Sequence, residues 1–137
     1  MIVDTGRLSS GACWPVLAVA DQILLAVRPT VRSIQGARGA AEHLRAHLGD
    51  LALVRLLICG AGDYSAKDVS EQLGVSVTGA LPQDAAAAGV LTEGAAAGMR
   101  SLKRSRMLRS AAGVAAELVA AGAAADAQAG SGGVMLR

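Results

Sequence analysis

Along this chain, short continuous apolar runs alternate with segments in which apolar residues recur at helical spacing. This pattern indicates a succession of strands and helices. Short continuous apolar runs occupy the internal segments 22–27, 53–59 and 75–81, and the first of them is typical of a strand that is covered on both faces. Between the first two, apolar residues recur at helical spacing from Val31 to His47, and Gly49 is expected to end that helix. Alternating strands and helices predict an α/β fold with a parallel sheet.

Further elements complete the predicted order. Ile2 to Asp4 has the pattern of the end of a buried strand, so we expect a partial parallel sheet of about four strands. Ser65 is predicted to cap a helix that ends at Gly74, with Asp68 at its third helical position. The other predicted helices cover residues 11–20, 85–91 and 102–121.

One domain and a tail are expected. A chain of 137 residues suffices for a single domain with a modest core, which we assign to residues 1–121. Apolar residues make up 53% of the chain and aromatic residues 1%, so the core must be aliphatic. Residues 122–137 are rich in Ala and Gly and too poor in large apolar side chains to offset chain entropy, so we expect them to be disordered.

Cysteine usage and hydropathy favour a cytoplasmic protein. Cys13 and Cys59 lie far apart, without the spacing of a metal site, as is common in a reducing compartment. The apolar stretch 12–27 is interrupted by polar residues and falls short of the roughly 20 apolar residues that span a bilayer. The first residues contain Asp4 and no basic region, so no signal peptide is indicated. We expect no transmembrane segment.

Positive charge is concentrated in one short segment, although the net charge of +2 is small. This basic segment consists of Arg100, Lys103, Arg104, Arg106 and Arg109, with no acid among them. Two interpretations stay open. The segment is the solvated start of a helix, or it contacts the phosphates of an anionic membrane or of nucleic acid. Cations at a helix start oppose the helix dipole, which weighs slightly against the first interpretation.

Several segments together resemble the second half of the MinD/ParA family of P-loop ATPases. They are Ile2–Gly6 (IVDTG), Ala20–Thr30 (ADQILLAVRPT), Leu73–Asp84 (LGVSVTGALPQD) and Ala88–Gly94. Each motif alone is weak, but their order and spacing make the set moderately specific. The chain looks most like the actinobacterial septum site-determining and pilus-assembly branch. The resemblance implies a P-loop NTPase-like fold without its N-terminal strands and phosphate loop.

The resemblance also implies a magnesium site at the beginning of the chain. Asp4 would be the Walker B acid that orders Mg²⁺ through water. Thr5 and Gly6 would begin the switch-like loop beside the γ-phosphate of ATP.

Residues for the nucleotide base follow from the same resemblance. Pro82 and Asp84 would line the adenine pocket through backbone contacts. Cys59 stands where the family usually has an asparagine whose amide reads the adenine edge. A thiol lacks that donor and acceptor pair, so the resemblance implies weaker recognition of the base here.

The resemblance implies that this chain is a truncated or degenerate ATPase homologue. Such a protein would act in septum-site determination, or in positioning an appendage or a partition complex. ATP and Mg²⁺ are the cofactors of full-length relatives, in which ATP joins two subunits. No lysine-bearing glycine loop occurs in this chain, so we expect it to bind no cofactor and hydrolyse no ATP by itself. The alternative is a non-catalytic module that binds a protein partner or an anionic surface through the basic segment. A third possibility is a fragment with no independent fold.

Overall fold

A three-stranded parallel sheet with helices forms the fold in this computed structural model, which describes residues 1–8, 13–49, 51–93, 102 and 104–131. The strands, in their order across the sheet, are β1 (Ile23–Val27), β2 (Val54–Cys59) and β3 (Val77–Leu81). The helices are α1 (Trp14–Leu17), α2 (Val31–Leu48), α3 (Ala66–Leu73), α4 (Ala85–Glu93) and α5 (Arg106–Ser131). The predicted α/β class is confirmed, with three strands among the described residues instead of about four.

One face of the sheet carries the core. Alternate side chains of β2 and β1 lie side by side on this face in parallel register: Val54, Leu56 and Ile58 in β2, and Ile23, Leu25 and Val27 in β1. Leu44 of α2 and Val69 of α3 are buried in the same cluster, at 1% and 0% exposed. Each aliphatic side chain buried so fully stabilises the fold by about 1.5–3 kcal/mol. This apolar layer fixes α2 and α3 on the sheet.

Local signals set the ends of α2 and α3 as predicted. The Oγ of Ser65 accepts the N–H of Asp68 at 3.2 Å, and the Asp68 carboxylate accepts the N–H of Ser65 at 2.9 Å. Hydrogen bonds from the side chain and backbone of Ser65 lower the pKa of Asp68. Gly49 and Gly74 end the two helices with φ of 82° and 62°, a conformation that glycine adopts without strain.

Helix α5 packs on the other face of the sheet and crosses β3. Gly79 pairs with Leu57, and a Cβ at Gly79 would lie 2.6 Å from Cγ2 of Val114. Only glycine therefore allows the helix to approach this closely. Farther along α5, the carbonyl oxygen of Leu118 accepts a hydrogen bond from Nε2 of Gln22 at 3.2 Å. The helix thus extends across the sheet to the beginning of β1.

Residues 2–4 do not form the predicted strand. Ile2 is 100% exposed and Val3 is 47% exposed, and no strand occurs within residues 1–8. A strand needs a neighbour to satisfy its backbone groups and a layer under which to bury its side chains. Within the described part of the chain, neither is present for this segment, so the apolar run stays exposed.

The prediction that β1 is covered on both faces is also wrong. Leu24 is 38% exposed, and Ala26 is exposed. Helix α5 packs mainly on β3, so it leaves the second face of β1 largely open. The apolar run of β1 therefore contains more hydrophobic side chains than the described fold buries.

The last helix begins and ends later than the sequence indicates. We predicted a helix from Leu102 to Ala121 followed by disorder, whereas α5 begins at Arg106 and continues to Ser131. Alanine has the highest helix propensity, so an alanine-rich segment forms a helix with little packing. The domain boundary after residue 121 stays a prediction, and residues 132–137 lie outside the described residues.

Part of α5 is long and apolar enough to cross a membrane, by length and composition only. This segment, Arg106–Ala124, has 19 residues, a mean hydropathy of 1.3 and 6% of its residues buried. We predicted no such segment. Its apolar character comes largely from alanine, and Arg109 and Glu117 within it would be costly in hydrocarbon.

Replacing Gly79 by alanine tests the packing of α5 on β3. The added Cβ would overlap the side chain of Val114, so we expect the free energy of unfolding to fall by about 1–3 kcal/mol. Gly113→Ala is the matched control, because a Cβ there meets open space and alanine favours the helix by up to about 1 kcal/mol. Urea unfolding followed by circular dichroism measures both variants. Equal unfolding midpoints for the two would contradict the close approach at Gly79.

Candidate functional site at the carboxyl edge of the sheet

Three loops meet where the parallel strands end, the edge at which open α/β sheets bind ligands. Cys59, the last residue of β2, pairs with Leu81, the last residue of β3. The N–H of Gly60 donates to the carbonyl oxygen of Leu81 at 2.8 Å. A Cβ at Gly60 would lie 3.8 Å from Oε1 of Gln83. The structure therefore brings Cys59 and Pro82, which follows Leu81, to the same edge.

The loop after β1 packs against the loop after β2. The N–H of Tyr64 donates to the carbonyl oxygen of Pro29 at 3.3 Å. A Cβ at Gly62 would overlap the same carbonyl oxygen, so a glycine is required at this point. The N–H of Arg28 donates to Oγ of Ser33 in the first turn of α2 at 3.0 Å. Backbone contacts thus hold this side of the edge in place.

Asp84 joins the beginnings of two helices. Its Oδ1 accepts the N–H of Ala87 at 3.0 Å and so caps α4. Its Oδ2 accepts the hydroxyl of Ser105 at 2.8 Å, across 21 positions of the sequence. Ser105 is only 7% exposed, and its Oγ also accepts the N–H of Leu108 at 3.3 Å, which caps α5. One carboxylate therefore holds α4 and α5 together.

The same hydrogen bonds favour the charged form of Asp84. The hydrogen bond from the N–H of Ala87 lowers the pKa of this carboxyl most, and the hydrogen bond from the hydroxyl of Ser105 lowers it further. Desolvation raises the pKa by a smaller amount. The family resemblance implies only backbone contacts between Asp84 and adenine, and the structure employs its side chain as a helix cap. Its role toward a nucleotide stays a prediction.

Cys59, the last residue of β2, is half-buried. Its thiol donates to the carbonyl oxygen of Leu57 at 3.7 Å. Burial raises the pKa of the Cys59 thiol, and the guanidinium of Arg28 opposes that rise. The thiol is therefore mainly protonated at neutral pH and is a weak nucleophile. Its single weak donor gives little specificity for a purine edge.

Residues 4–6 form a local turn ahead of α1. Oδ1 of Asp4 accepts the N–H of Gly6 at 2.8 Å, and Gly6 has a φ of 63°. Asp4 is exposed and Thr5 is half-buried. The resemblance places Asp4 at the end of a strand, and that strand does not occur among the described residues. Its magnesium role stays a prediction.

The described cations of the basic segment are exposed at the beginning of α5. They are Arg104, Arg106 and Arg109, and Nη1 of Arg109 donates to the carbonyl oxygen of Arg104 at 3.0 Å. Within the described residues no acid forms an ion pair with these three. Arg100 and Lys103 lie outside the described residues. Three unpaired cations beside the positive end of a helix dipole make this surface favourable for an anion.

Sequence reasoning missed Ser105. Serine is a preferred residue immediately before a helix, and this preference is the signal that could have located the start of α5. Because we predicted that the helix begins at Leu102, Ser105 was expected in the helix interior and not at its start. Its partnership with Asp84 depends on the tertiary fold.

Comparison with known proteins finds a similarity of fold. No family model matches the chain, and no curated protein matches it. Among solved structures, the MinD cell division protein of Aquifex aeolicus is similar, with a TM-score of 0.65 and 18% sequence identity. The match covers 80% of this chain and 46% of that chain, so this chain spans about half the length of that MinD. The chain thus has, coarsely, the fold of one part of MinD.

Asp84→Asn should destabilise the protein most at neutral pH. Because the pKa of Asp84 is lower in the folded than in the unfolded chain, its charge stabilises the fold above the unfolded-state pKa. That contribution disappears as the pH falls through the folded-state pKa. Urea midpoints of wild type and Asp84→Asn should therefore differ at neutral pH and converge in acid.

Two further variants control this measurement. Asp63→Asn removes an exposed carboxylate from the loop after β2 and should leave the midpoint nearly unchanged at each pH. Ser105→Ala should cost about 1 kcal/mol as a lost helix cap, and its effect should be smaller in the Asp84→Asn background. Strictly additive effects of Asp84→Asn and Ser105→Ala on the free energy of unfolding would argue against the Asp84–Ser105 link. So would a difference in urea midpoint between wild type and Asp84→Asn that does not change with pH.

Proposed function

We propose that this chain is a truncated or degenerate homologue of the MinD/ParA ATPases, acting in septum-site determination or in positioning an appendage or a partition complex. The observation that supports it is the fold, which is similar to about half of a MinD cell division protein. The segments that resemble the family include β1 and β3 and the loops that follow them. We further propose that it acts in the cytoplasm with a second copy or a protein partner.

Among the described residues, the carboxyl edge lacks the lysine-bearing glycine loop that holds the phosphates in the family. Gly60 and Pro82 are half-buried at this edge, and both carboxylate oxygens of Asp84 are already bonded within the chain. Lys67 lies on α3 beside Glu71, at 3.8 Å, and not in a glycine loop. The described residues therefore do not fit the triphosphate and Mg²⁺ of the family, and we assign them no step in hydrolysis.

ATP hydrolysis by the purified 137-residue protein is the direct test. With ATP and Mg²⁺ we expect no phosphate release above a protein-free blank, either from wild type or from Asp4→Ala. Asp63→Ala is the control for the loss of an exposed carboxylate. Hydrolysis that is abolished by Asp4→Ala and retained by Asp63→Ala would show that the chain hydrolyses ATP with the help of Asp4. That result would contradict the proposal.

The positioning role is tested separately, in cells. Cells that lack the gene should show displaced septa, appendages or partition complexes under the microscope. The wild-type gene and Asp4→Ala should both restore normal positions, because hydrolysis by this chain is not required. Normal positions of all three structures in the deletion strain would overturn the proposal.

A second candidate function is a non-catalytic module that binds an anionic surface through the basic segment. The exposed Arg104, Arg106 and Arg109, unpaired within the described residues, favour it. Phosphate contacts made by such cations weaken as salt is added.

Sedimentation with lipid vesicles and with duplex DNA tests this candidate. Binding to vesicles containing phosphatidylserine, or to DNA, should fall with added salt and with the double substitution Arg104→Gln and Arg106→Gln. The matched control replaces Arg38 and Arg45, exposed on α2, by glutamine and should bind like wild type. Equal binding by both double variants would eliminate the basic segment as the contact.

A further inference from the structure

Strand β1 is an outer strand of the sheet, and one of its sides is unpaired among the described residues. The N–H of Ile23 donates to the carbonyl oxygen of Leu53 at 2.9 Å, so the backbone groups of Ile23 point toward β2. The direction of these groups alternates from residue to residue along a strand. The N–H and C=O groups of Leu24 and Ala26 therefore point away from β2, to a side at which no other described strand lies.

This free side of β1 has none of the features that usually keep an outer strand unpaired. Charged side chains, prolines and bulges protect sheet edges from pairing with another chain. The segment Ile23–Val27 (ILLAV) contains neither a charge nor a proline, and its register with β2 is regular. Leu24 is 38% exposed and Ala26 is exposed, so pairing would also remove apolar surface from water.

The other outer strand, β3, is better protected. Val77 pairs with Leu56 and Gly79 pairs with Leu57, so Thr78 is the extra residue of a bulge. Helix α5 also packs mainly against β3 and leaves β1 largely open. Association through strand pairing is therefore favoured at β1.

Charges at the two ends of β1 select the orientation of a partner strand. Asp21 precedes β1 and Arg28 follows it, and both residues are exposed. Neither forms an ion pair within the described part of the chain. Two parallel copies of β1 would place like charges side by side. In an antiparallel pair, Asp21 of each copy lies near Arg28 of the other, so this edge is complementary to itself.

We propose that this chain forms a homodimer in which two β1 strands pair in antiparallel orientation, about a two-fold axis perpendicular to the sheet. Leu24 of each copy lies opposite Ala26 of the other, and the two residues exchange both N–H···O bonds. The larger side chain packs beside the smaller one, and the two sheets join into one continuous sheet. This contact requires no nucleotide. The inference rests on the part of the proposed function that names a second copy as a partner, and it adds the surface that binds that copy.

Sedimentation equilibrium of the full chain without nucleotide tests the dimer. We expect an average mass that rises with concentration from 13.6 kDa toward twice that value. Leu24→Lys puts a charge on the free edge and should raise the dissociation constant of the dimer at least about tenfold. The matched control is Leu91→Lys, which replaces a more exposed leucine on α4 and should associate like wild type. Circular dichroism reports whether each variant folds.

An exchange of charges tests the antiparallel orientation. Asp21→Arg and Arg28→Asp should each raise the dissociation constant severalfold, because like charges then meet at both ends of the paired strands. The variant with both substitutions should recover most of the association, since opposite charges meet again. Two single variants that associate like wild type would contradict the predicted orientation.

Amide hydrogen exchange locates the contact on the chain. The N–H groups of Leu24 and Ala26 should exchange slowly in the dimer and fast in the monomer, whereas the N–H of Ile23 is bonded in both. Three outcomes would overturn the proposal. They are a monomer at every concentration up to about 1 mM, a dimer whose dissociation constant Leu24→Lys leaves unchanged, and slow exchange of both amides in a monomer, which would show that the chain itself covers this edge. None of them alters the tests of hydrolysis and of positioning, so a failure here is distinguishable from a failure of the proposed function.

Discussion

The burial of one sheet face beneath α2 and α3 is the interaction on which the rest of this structure depends. Leu56 at the centre of β2 and Val69 of α3 are both fully buried. Three strands are near the minimum for a stable sheet, so the free energy from the covering helices is indispensable. Parallel strands in turn require these helices as connections and bring every strand to an end at the same edge. The candidate site therefore follows from the way the core is formed.

Helix α5 links the two edges of the sheet. Its contacts are Ser105 with Asp84 at the carboxyl edge, Val114 over Gly79 at mid-strand, and Leu118 with Gln22 at the amino edge. A helix transmits displacement along its length because its backbone hydrogen bonds make it stiff. The two edges of the sheet consequently share one support.

Asp84 illustrates how a motif and its use differ. The loop Pro82–Asp84 occurs where the MinD/ParA resemblance implies adenine contacts, and the fold is similar to part of MinD. In this chain the carboxylate of Asp84 caps α4 and bonds Ser105. A fold accommodates many activities, so the contacts of each side chain must decide its role. The contacts of the Asp84 side chain in this structure are those of a helix cap, and its role toward a nucleotide stays a prediction.

The sequence alone determined the elements whose signals act within a few residues. The capping box of Ser65 and Asp68, the terminating Gly74, and the apolar runs of the three strands were all readable, because each depends on local hydrogen bonds or on side-chain period. Cys59 and Pro82 could likewise be placed at one edge from the parallel order of the strands. Only the tertiary structure decided that residues 2–4 form no strand and that α5 needs a glycine beneath it. Those outcomes depend on which distant parts of the chain meet, and no local pattern of residues encodes such contacts.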